Sequence, residues 1–393
     1  MAAPEVPFGN FQFEIYLRGL AGERPELPIS YAELEERARE ELAPEPYGYV
    51  AGGAGEEHTV RANRTAFDAW RIVPRMLRDV SQRDHSTTVL GTELPAPVML
   101  APVGVLGIIH EQGELAAARG AAELGLPVVL STAASRTIEE VAEACGQAPR
   151  WFQLYWPTDP ELAASFVSRA ERAGYSAIVV TVDTRMLAWR PRDIAAGYLP
   201  FLGGEGIANY TSDPVFRAAL DDGAEDEAQA AIQHWVTMFP NPALTWDDLG
   251  FLRDQTDLPI VLKGVLDEGD ARKAVDAGVD GLIVSNHGGR QVDGSIAALD
   301  ALPDVVGAVP ESFPVLFDSG IRTGADVFKA LALGARAVMV GRPYVWGLAL
   351  AGAEGVRHVL RGLLADFDLT MALTCHTSLD ELGPDSLRRA PRG

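Results

Sequence analysis

From about residue 95 onward, short apolar runs alternate with segments of helical period. Eight runs read as strands: 97–101, 127–130, 151–155, 177–182, 259–263, 281–285, 314–317 and 337–340. Most are apolar throughout rather than alternating, as expected for parallel strands covered on both faces. Between them, 111–124, 137–144, 160–173, 267–277 and 324–333 carry helical spacing. Gly125, Gly174, Gly278 and Gly334 stand where C-terminal helix caps are expected. Eight alternations predict an α/β fold, a (β/α)8 TIM barrel. A doubly wound open sheet is the competing architecture.

Two segments stand outside the repeat. Residues 1–94 form an N-terminal leader packed on the barrel, with one clear helix near 31–42 and a glycine-rich turn at Gly52-Gly53-Ala54-Gly55. Residues 95–393 form the barrel, and the chain is expected to be one structural domain. About 60 residues, 185–244, separate the fourth strand from its helix, far more than an ordinary connection. This insertion carries Tyr198, Phe201, Tyr210, Phe216 and Trp235, and an acidic patch from Asp221 to Glu227. The aromatic part is expected to pack as a lid and the acidic patch to be disordered.

Composition narrows the chemistry. The chain has 393 residues, 47% of them hydrophobic, and a net charge of −22. That charge opposes nucleic acid and anionic membranes, so an anionic substrate needs a local cationic pocket. Cys145 and Cys375 offer neither a disulfide framework nor metal-ligand spacing, and no metal site is expected. Met1 to Asn10 lacks a basic region followed by an apolar run, and no stretch is apolar enough to span a bilayer. A soluble cytoplasmic protein is the expectation. Only three lysines occur, Lys263, Lys273 and Lys329, so a lysine inside an apolar strand is not background.

In barrels, chemistry collects at the carboxyl ends of the strands. The sixth strand runs into Ser285-Asn286-His287-Gly288-Gly289-Arg290-Gln291. Histidine takes protons near neutral pH, and arginine grips carboxylates with two parallel hydrogen bonds. A base beside such a clamp points to chemistry at the carbon next to a carboxylate; a solvated histidine and a surface arginine are the bland alternative. Other strand ends supply Val103-Gly104, Ser131, Gln153, Tyr155, Thr181 and Asp183, with Arg190 shortly after. Asp183 either orients His287, as a triad acid does, or caps a helix. Lys263 needs a strongly accepting partner: an acid inside the barrel, or a ligand atom such as a flavin ring carbonyl. The turns Asp318-Ser319-Gly320-Ile321-Arg322 and Gly341-Arg342 read as a phosphate site, or as two exposed arginines. No Gly-x-Gly-x-x-Gly follows a strand, which argues against a nicotinamide site.

These motifs resemble the FMN-dependent 2-hydroxy-acid oxidases and dehydrogenases, from about Tyr31 to the end. Ser285 to Gln291 is the most specific match, supported by Phe317-Asp318-Ser319-Gly320 and Gly341-Arg342-Pro343. Phe8-Gly9-Asn10-Phe11-Gln12, Trp189-Arg190-Pro191-Arg192-Asp193 and Asn209-Tyr210-Thr211-Ser212-Asp213-Pro214 are most similar to the lactate 2-monooxygenase branch.

The resemblance implies FMN as cofactor, a small 2-hydroxy acid and oxygen as substrates, and a homo-oligomer, tetramer or octamer. It implies that His287 is the base and Asp183 its partner. Arg290, Arg190 and Tyr49 would bind the substrate carboxylate, Tyr155 would face its hydroxyl, and Lys263 would sit by the flavin N1. Val103, Gly104, Ser131, Gln153 and Thr181 would line the ring and ribityl chain. Ser285 belongs to the same cofactor-facing set, and the turns at Asp318, Ser319, Gly320, Arg322, Gly341 and Arg342 would hold ribityl and phosphate. Gly104 stands where most oxidases carry alanine, and Ala133 where glycolate oxidases carry tryptophan. The implied reaction is oxidation of lactate with coupled decarboxylation to acetate. Simple oxidation releasing keto acid and peroxide is the nearest alternative. A dehydrogenase using another electron acceptor and a non-catalytic barrel are more remote.

Overall fold

The computed structural model describes residues 6–220 and 226–391. Eight parallel strands close into a barrel: β1 Val98–Leu100, β2 Val128–Ser131, β3 Arg150–Leu154, β4 Ile178–Thr181, β5 Ile260–Val265, β6 Gly281–Val284, β7 Val315–Phe317 and β8 Val338–Val340. β8 pairs with β1, so the open doubly wound sheet is excluded. The five predicted helices form at Gly113–Ala122, Ile138–Cys145, Pro160–Arg172, Glu268–Asp276 and Gly324–Ala332.

Within each apolar run, alternate residues part company. Met99, Val129, Trp151, Val179, Val261, Ile283, Leu316 and Met339, one per strand, pack together in the barrel interior. Their neighbours, such as Leu100, Leu130, Phe152, Val180 and Leu262, join the larger core shared with the helices. The strand period of two therefore survives inside a continuous apolar run. A hairpin of Thr87–Val89 and Thr92–Leu94 packs Val89 and Leu94 against the interior layer, and Thr92 Oγ1 accepts the indole N–H of Trp151 at 2.9 Å.

The leader holds more helix than its sequence suggests. Tyr31–Glu41 forms as expected, with Ser30 as its cap. Phe11–Leu20, Pro44–Ala51 and His58–Asp68 are also helical. The helix His58–Asp68 has no local side-chain cap. Its cap comes from Asp293, whose Oδ1 accepts Thr59 N at 3.0 Å and whose Oδ2 accepts Glu56 N at 2.8 Å. A cap supplied from more than 200 residues away leaves no signal in the local sequence.

The insertion folds over the carboxyl end of the barrel as short helices, the longest being Glu227–Met238. Its aromatic residues pack as expected. Trp235 stacks on Phe201 at 4.6 Å and lies 4.8 Å from Phe239, with Tyr210 and Phe216 buried alongside. Asn209 ties this layer to the loop after β2, donating to Thr132 O at 3.1 Å and accepting from Ile138 N at 2.8 Å. The expected disorder of the acidic patch concerns residues 221–225, which lie outside the described residues; Asp226 caps the following helix. Among the described residues, no helix is long and apolar enough to cross a membrane.

Candidate active site

The site grows out of the barrel interior. Two residues beyond the inward apolar layer, the same strands present Ser131, Gln153, Thr181, Lys263, Ser285, Asp318 and Gly341. The pleat therefore aims them into the mouth of the barrel. Lys263 Nζ lies 3.1 Å from Asp318 Oδ2 and donates to Ser285 Oγ at 3.0 Å. Burial works against its charge, but Asp318 and Asp183 more than restore it, so its pKa rises above that of an ordinary lysine. The interior ion pair left open by the sequence exists, and Lys263 still lines the cleft. Ser131 donates to Gln153 Oε1 at 2.9 Å. Gln153 Nε2 and Thr181 Oγ1 are buried without partners, each a cost of about 1–3 kcal/mol unless a ligand supplies the bond.

After β6 the chain turns tightly. His287, Gly288 and Gly289 all take positive φ, at 58°, 64° and 79°. For histidine this left-handed state is strained by about 1–3 kcal/mol, so its surroundings must hold it. Ser285 Oγ accepts His287 N at 3.0 Å, and Ser319 Oγ accepts Gly288 N at 3.0 Å. His287 Nδ1 lies 3.0 Å from Asp183 Oδ1 and 3.2 Å from Thr184 Oγ1. Nε2 faces the Tyr155 hydroxyl at 3.4 Å. Gly264 permits this approach, since a Cβ there would meet Asp183 Cβ at 2.7 Å.

Electrostatics suit a base. Burial lowers the pKa of His287 below its ordinary value, against the pull of Asp183. Its imidazole is therefore neutral and proton-accepting at pH 7. Burial works to raise Asp183, but His287 and Lys263 outweigh it and hold the carboxyl below its usual range. Burial, reinforced by Asp183, keeps the Tyr155 phenol protonated well above its ordinary range.

Across the cleft, Tyr49 lies between two guanidiniums, Arg190 at 5.2 Å and Arg290 at 5.0 Å from its ring. Arg190 pairs with Asp193 at 3.1 Å, while Arg290 donates to the carbonyls of Tyr49 and Gly52 at 2.5 and 2.9 Å. Burial and the nearby Arg190 lower the pKa of Arg290. Two like charges held this way call for an anion between them.

The remaining expected residues divide. Val103, Gly104, Ser319, Gly320, Arg322, Gly341 and Arg342 line the same cleft, whereas Ser131, Gln153, Thr181, Asp183 and Ser285 do not line it. Arg322 lies over the Tyr31 ring at 4.3 Å. Arg342 lines the cleft and is also anchored to the main chain, donating to Val50 O, Gly288 O and Gly52 O at 2.9–3.0 Å. Burial and the neighbouring Arg290 and Arg322 bring its pKa down to about 10. A Cβ on Gly104 would meet Ala133 O at 2.6 Å, so this glycine lets the loops after β1 and β2 close on each other. Sequence reasoning missed Thr184, Leu187 and Phe239, which line the cleft. Only Thr184 carried a signal, its place beside Asp183 at a strand end.

The cleft spans about 1100 Å³ with its solvent-open part included. A neutral imidazole paired with a carboxylate, facing two guanidiniums at the mouth of a (β/α)8 barrel, is an arrangement suited to chemistry on a small organic acid. Residues 38–389 match the family model described as FMN-dependent dehydrogenase. An FMN-dependent alpha-hydroxy acid dehydrogenase of Penicillium citrinum is 46% identical over 98% of this chain and 97% of its own length. An L-lactate oxidase of Lysinibacillus sphaericus is 46% identical over 94% and 95%. A crystal structure of mandelate oxidase superposes with a TM-score of 0.82 at 40% identity, covering 92% of this chain and 98% of that one. The chain belongs to the FMN-dependent dehydrogenase family of 2-hydroxy-acid oxidoreductases, and FMN is its cofactor. The unpartnered Gln153 Nε2 and Thr181 Oγ1, the latter on the strand position paired with Lys263, fit the polar edge of a flavin ring.

Proposed function

We propose that the protein oxidises L-lactate, or a similarly small 2-hydroxy acid, with oxygen. It retains the keto acid until peroxide converts it to acetate, carbon dioxide and water. Bound FMN supplies the acceptor for two electrons and passes them to oxygen. Val103, Gly104, Gln153, Thr181 and Lys263 would hold its ring. Ser131, Ser285, the turn from Asp318 to Arg322, and Gly341-Arg342 would hold ribityl and phosphate. Arg290, Arg190 and Tyr49 grip the substrate carboxylate. Tyr155 orients the hydroxyl, and His287 takes a proton while Asp183 stabilises the imidazolium that results.

The observation that carries the retention is the aromatic seal. Phe201 and Phe239 line the cleft next to Tyr155, with Phe239 5.2 Å from the Tyr155 ring, and Trp235 backs both from within the insertion. A keto acid held under that layer meets peroxide in the same cavity, where proximity replaces a dilute encounter. Ala133, Leu187, Phe201 and Phe239 make the neighbouring wall apolar, which suits a small alkyl substituent. A simple oxidase releasing pyruvate and peroxide is the second reading, favoured by the 46% identity to the Lysinibacillus L-lactate oxidase. Product analysis after aerobic turnover of lactate, with catalase absent, separates the two. Acetate matching the lactate consumed supports retention, whereas stoichiometric pyruvate and peroxide would move the protein to the oxidase reading.

A further inference from the structure

We propose that Asn63, on the leader helix His58–Asp68, is a positioning residue that holds His287 in its working conformation through Asn286. Asn63 is buried and does not line the cleft. Its side chain forms a closed pair with that of Asn286. Asn63 Nδ2 donates to Asn286 Oδ1 at 2.7 Å, and Asn286 Nδ2 donates to Asn63 Oδ1 at 2.7 Å. Asn286 immediately precedes His287, whose φ is +58°. The same Asn286 Oδ1 accepts Gly289 N at 3.1 Å, sharing that N–H with the Asn286 main-chain carbonyl at 3.0 Å at the far end of the strained turn, and Nδ2 also donates to Ile296 O at 3.1 Å. Asn63 Oδ1 additionally accepts Ala298 N at 3.2 Å. With both donors and the acceptor of Asn286 engaged, its amide has one favourable orientation, and Asn63 dictates it.

The helix carrying Asn63 is anchored at several points. Asp293 caps the helix from the loop that follows the turn. Arg64 reaches Asp326 Oδ2 at 2.8 Å, and Lys329 Nζ donates to Phe67 O at 2.9 Å. A Cβ on Gly289 would meet Val60 N at 2.7 Å, so the turn lies directly on the helix. The backbone N–H groups of His287 and Gly288 have other partners, Ser285 and Ser319. The part of the turn left to Asn286 is its closure, which sets how His287 meets Asp183. The leader is in this sense part of the active site although only Tyr49 was expected there.

This inference rests on His287 being the base. FMN-loaded Asn63→Ala, Asn286→Ala and the double variant are mixed anaerobically with L-lactate, and flavin reduction is followed across an acid-to-alkaline series. Each single variant should keep FMN yet reduce it about 10²-fold more slowly, the cost of misplacing a reacting group by about 1 Å. The acid limb of the rate should shift to lower pH, because an imidazole misaligned with Asp183 holds its proton less well. The double variant should be no slower than the slower single, since one pair is being removed twice. Reduction within about threefold of wild type with an unmoved acid limb, or losses that multiply in the double variant, would overturn the proposal. If Asn63→Ala is recovered without FMN, the nearly isosteric Asn63→Asp, which keeps the acceptor and loses the donor, decides by the same criteria. His287→Ala run in parallel separates the two ideas. Normal reduction there removes the base assignment, and slow reduction there beside normal Asn63 variants removes only the positioning role.

Discussion

Asp183→Asn tests the electrostatics of the site most directly. The substitution keeps the shape of the side chain and removes its charge from the neighbourhood of His287 Nδ1, 3.0 Å away. His287 is neutral before it acts, because burial lowers its pKa, so the loss falls on the state in which it has taken the proton. Charge centres about 4 Å apart attract by about 4 kcal/mol at an effective dielectric of about 20. The asparagine dipole recovers part of this, leaving roughly 3 kcal/mol, or about 10²-fold in rate. The expected result is flavin reduction about 10²-fold slower with FMN still bound. In the wild type the acid limb lies below the titration of an ordinary histidine, since protonation as pH falls through the lowered pKa removes the base. In the variant that limb moves lower still, because Asp183 raises the basicity of His287. Anaerobic stopped-flow absorbance with L-lactate measures both quantities. A variant that reduces FMN within about threefold of wild type, with the acid limb unmoved, would refute the pairing as the source of basicity.

Two further outcomes are expected. Trp235→Ala removes the backing of Phe201 and Phe239, so the acetate yield should fall and pyruvate with peroxide should rise, while flavin reduction changes little; an unchanged product ratio would remove the seal from the explanation. Glu114 is buried, accepts Leu106 N and Ser135 N at 3.1 and 3.0 Å, and burial pushes its pKa up to about 7. The folded state therefore holds a proton that the unfolded chain releases near pH 4.3, and stability should be lost as pH rises from there through about 7. Glu114→Gln should flatten that slope in thermal unfolding, and parallel slopes in the two proteins would contradict it.

The barrel was legible because its strands are buried on both faces and its helices close on glycines. Each predicted strand lies within a residue or two of the observed one, Ile178–Thr181 against 177–182 for example. Strand-end placement also singled out Asp183, Lys263, His287 and Arg290 without any relative in view. Tyr49 was reached only through resemblance, since an aromatic in a short helix beginning at a proline reads as packing. Asn63 left no trace, because its partner Asn286 is 223 residues away. The helix carrying it is capped from equally far. Arg342 was found at a strand end, but its anchoring was not: the leader carbonyls of Val50 and Gly52 that hold its guanidinium in the cleft are delivered only by the folded chain. What sequence conveys well is set by neighbours along the chain; what it conveys poorly is closed by contacts between the leader and the strand ends.

The distribution of charge completes the physical picture. The chain as a whole carries −22, yet Arg190, Arg290, Arg322, Arg342 and Lys263 all line one cleft. At physiological salt the acidic exterior is screened over about 8 Å, so it does little to a small anion already at the mouth. Inside, the dielectric is lower and the cations act at short range. Burial and mutual repulsion lower the pKa of Arg290 and Arg342, which means that each gains when an anion arrives between them. The protein holds this repulsion in place with main-chain carbonyls from Tyr49, Val50, Gly52 and Gly288. These carry partial negative charge but no net charge, so they stabilise the cluster without cancelling it. A carboxylate partner for every arginine would have left a neutral pocket. Arg190 and Lys263 do have carboxylate partners, Asp193 and Asp318, so the uncancelled charge resides on Arg290 and Arg342, whose hydrogen-bond partners are carbonyls, three of these four carbonyl residues coming from the leader.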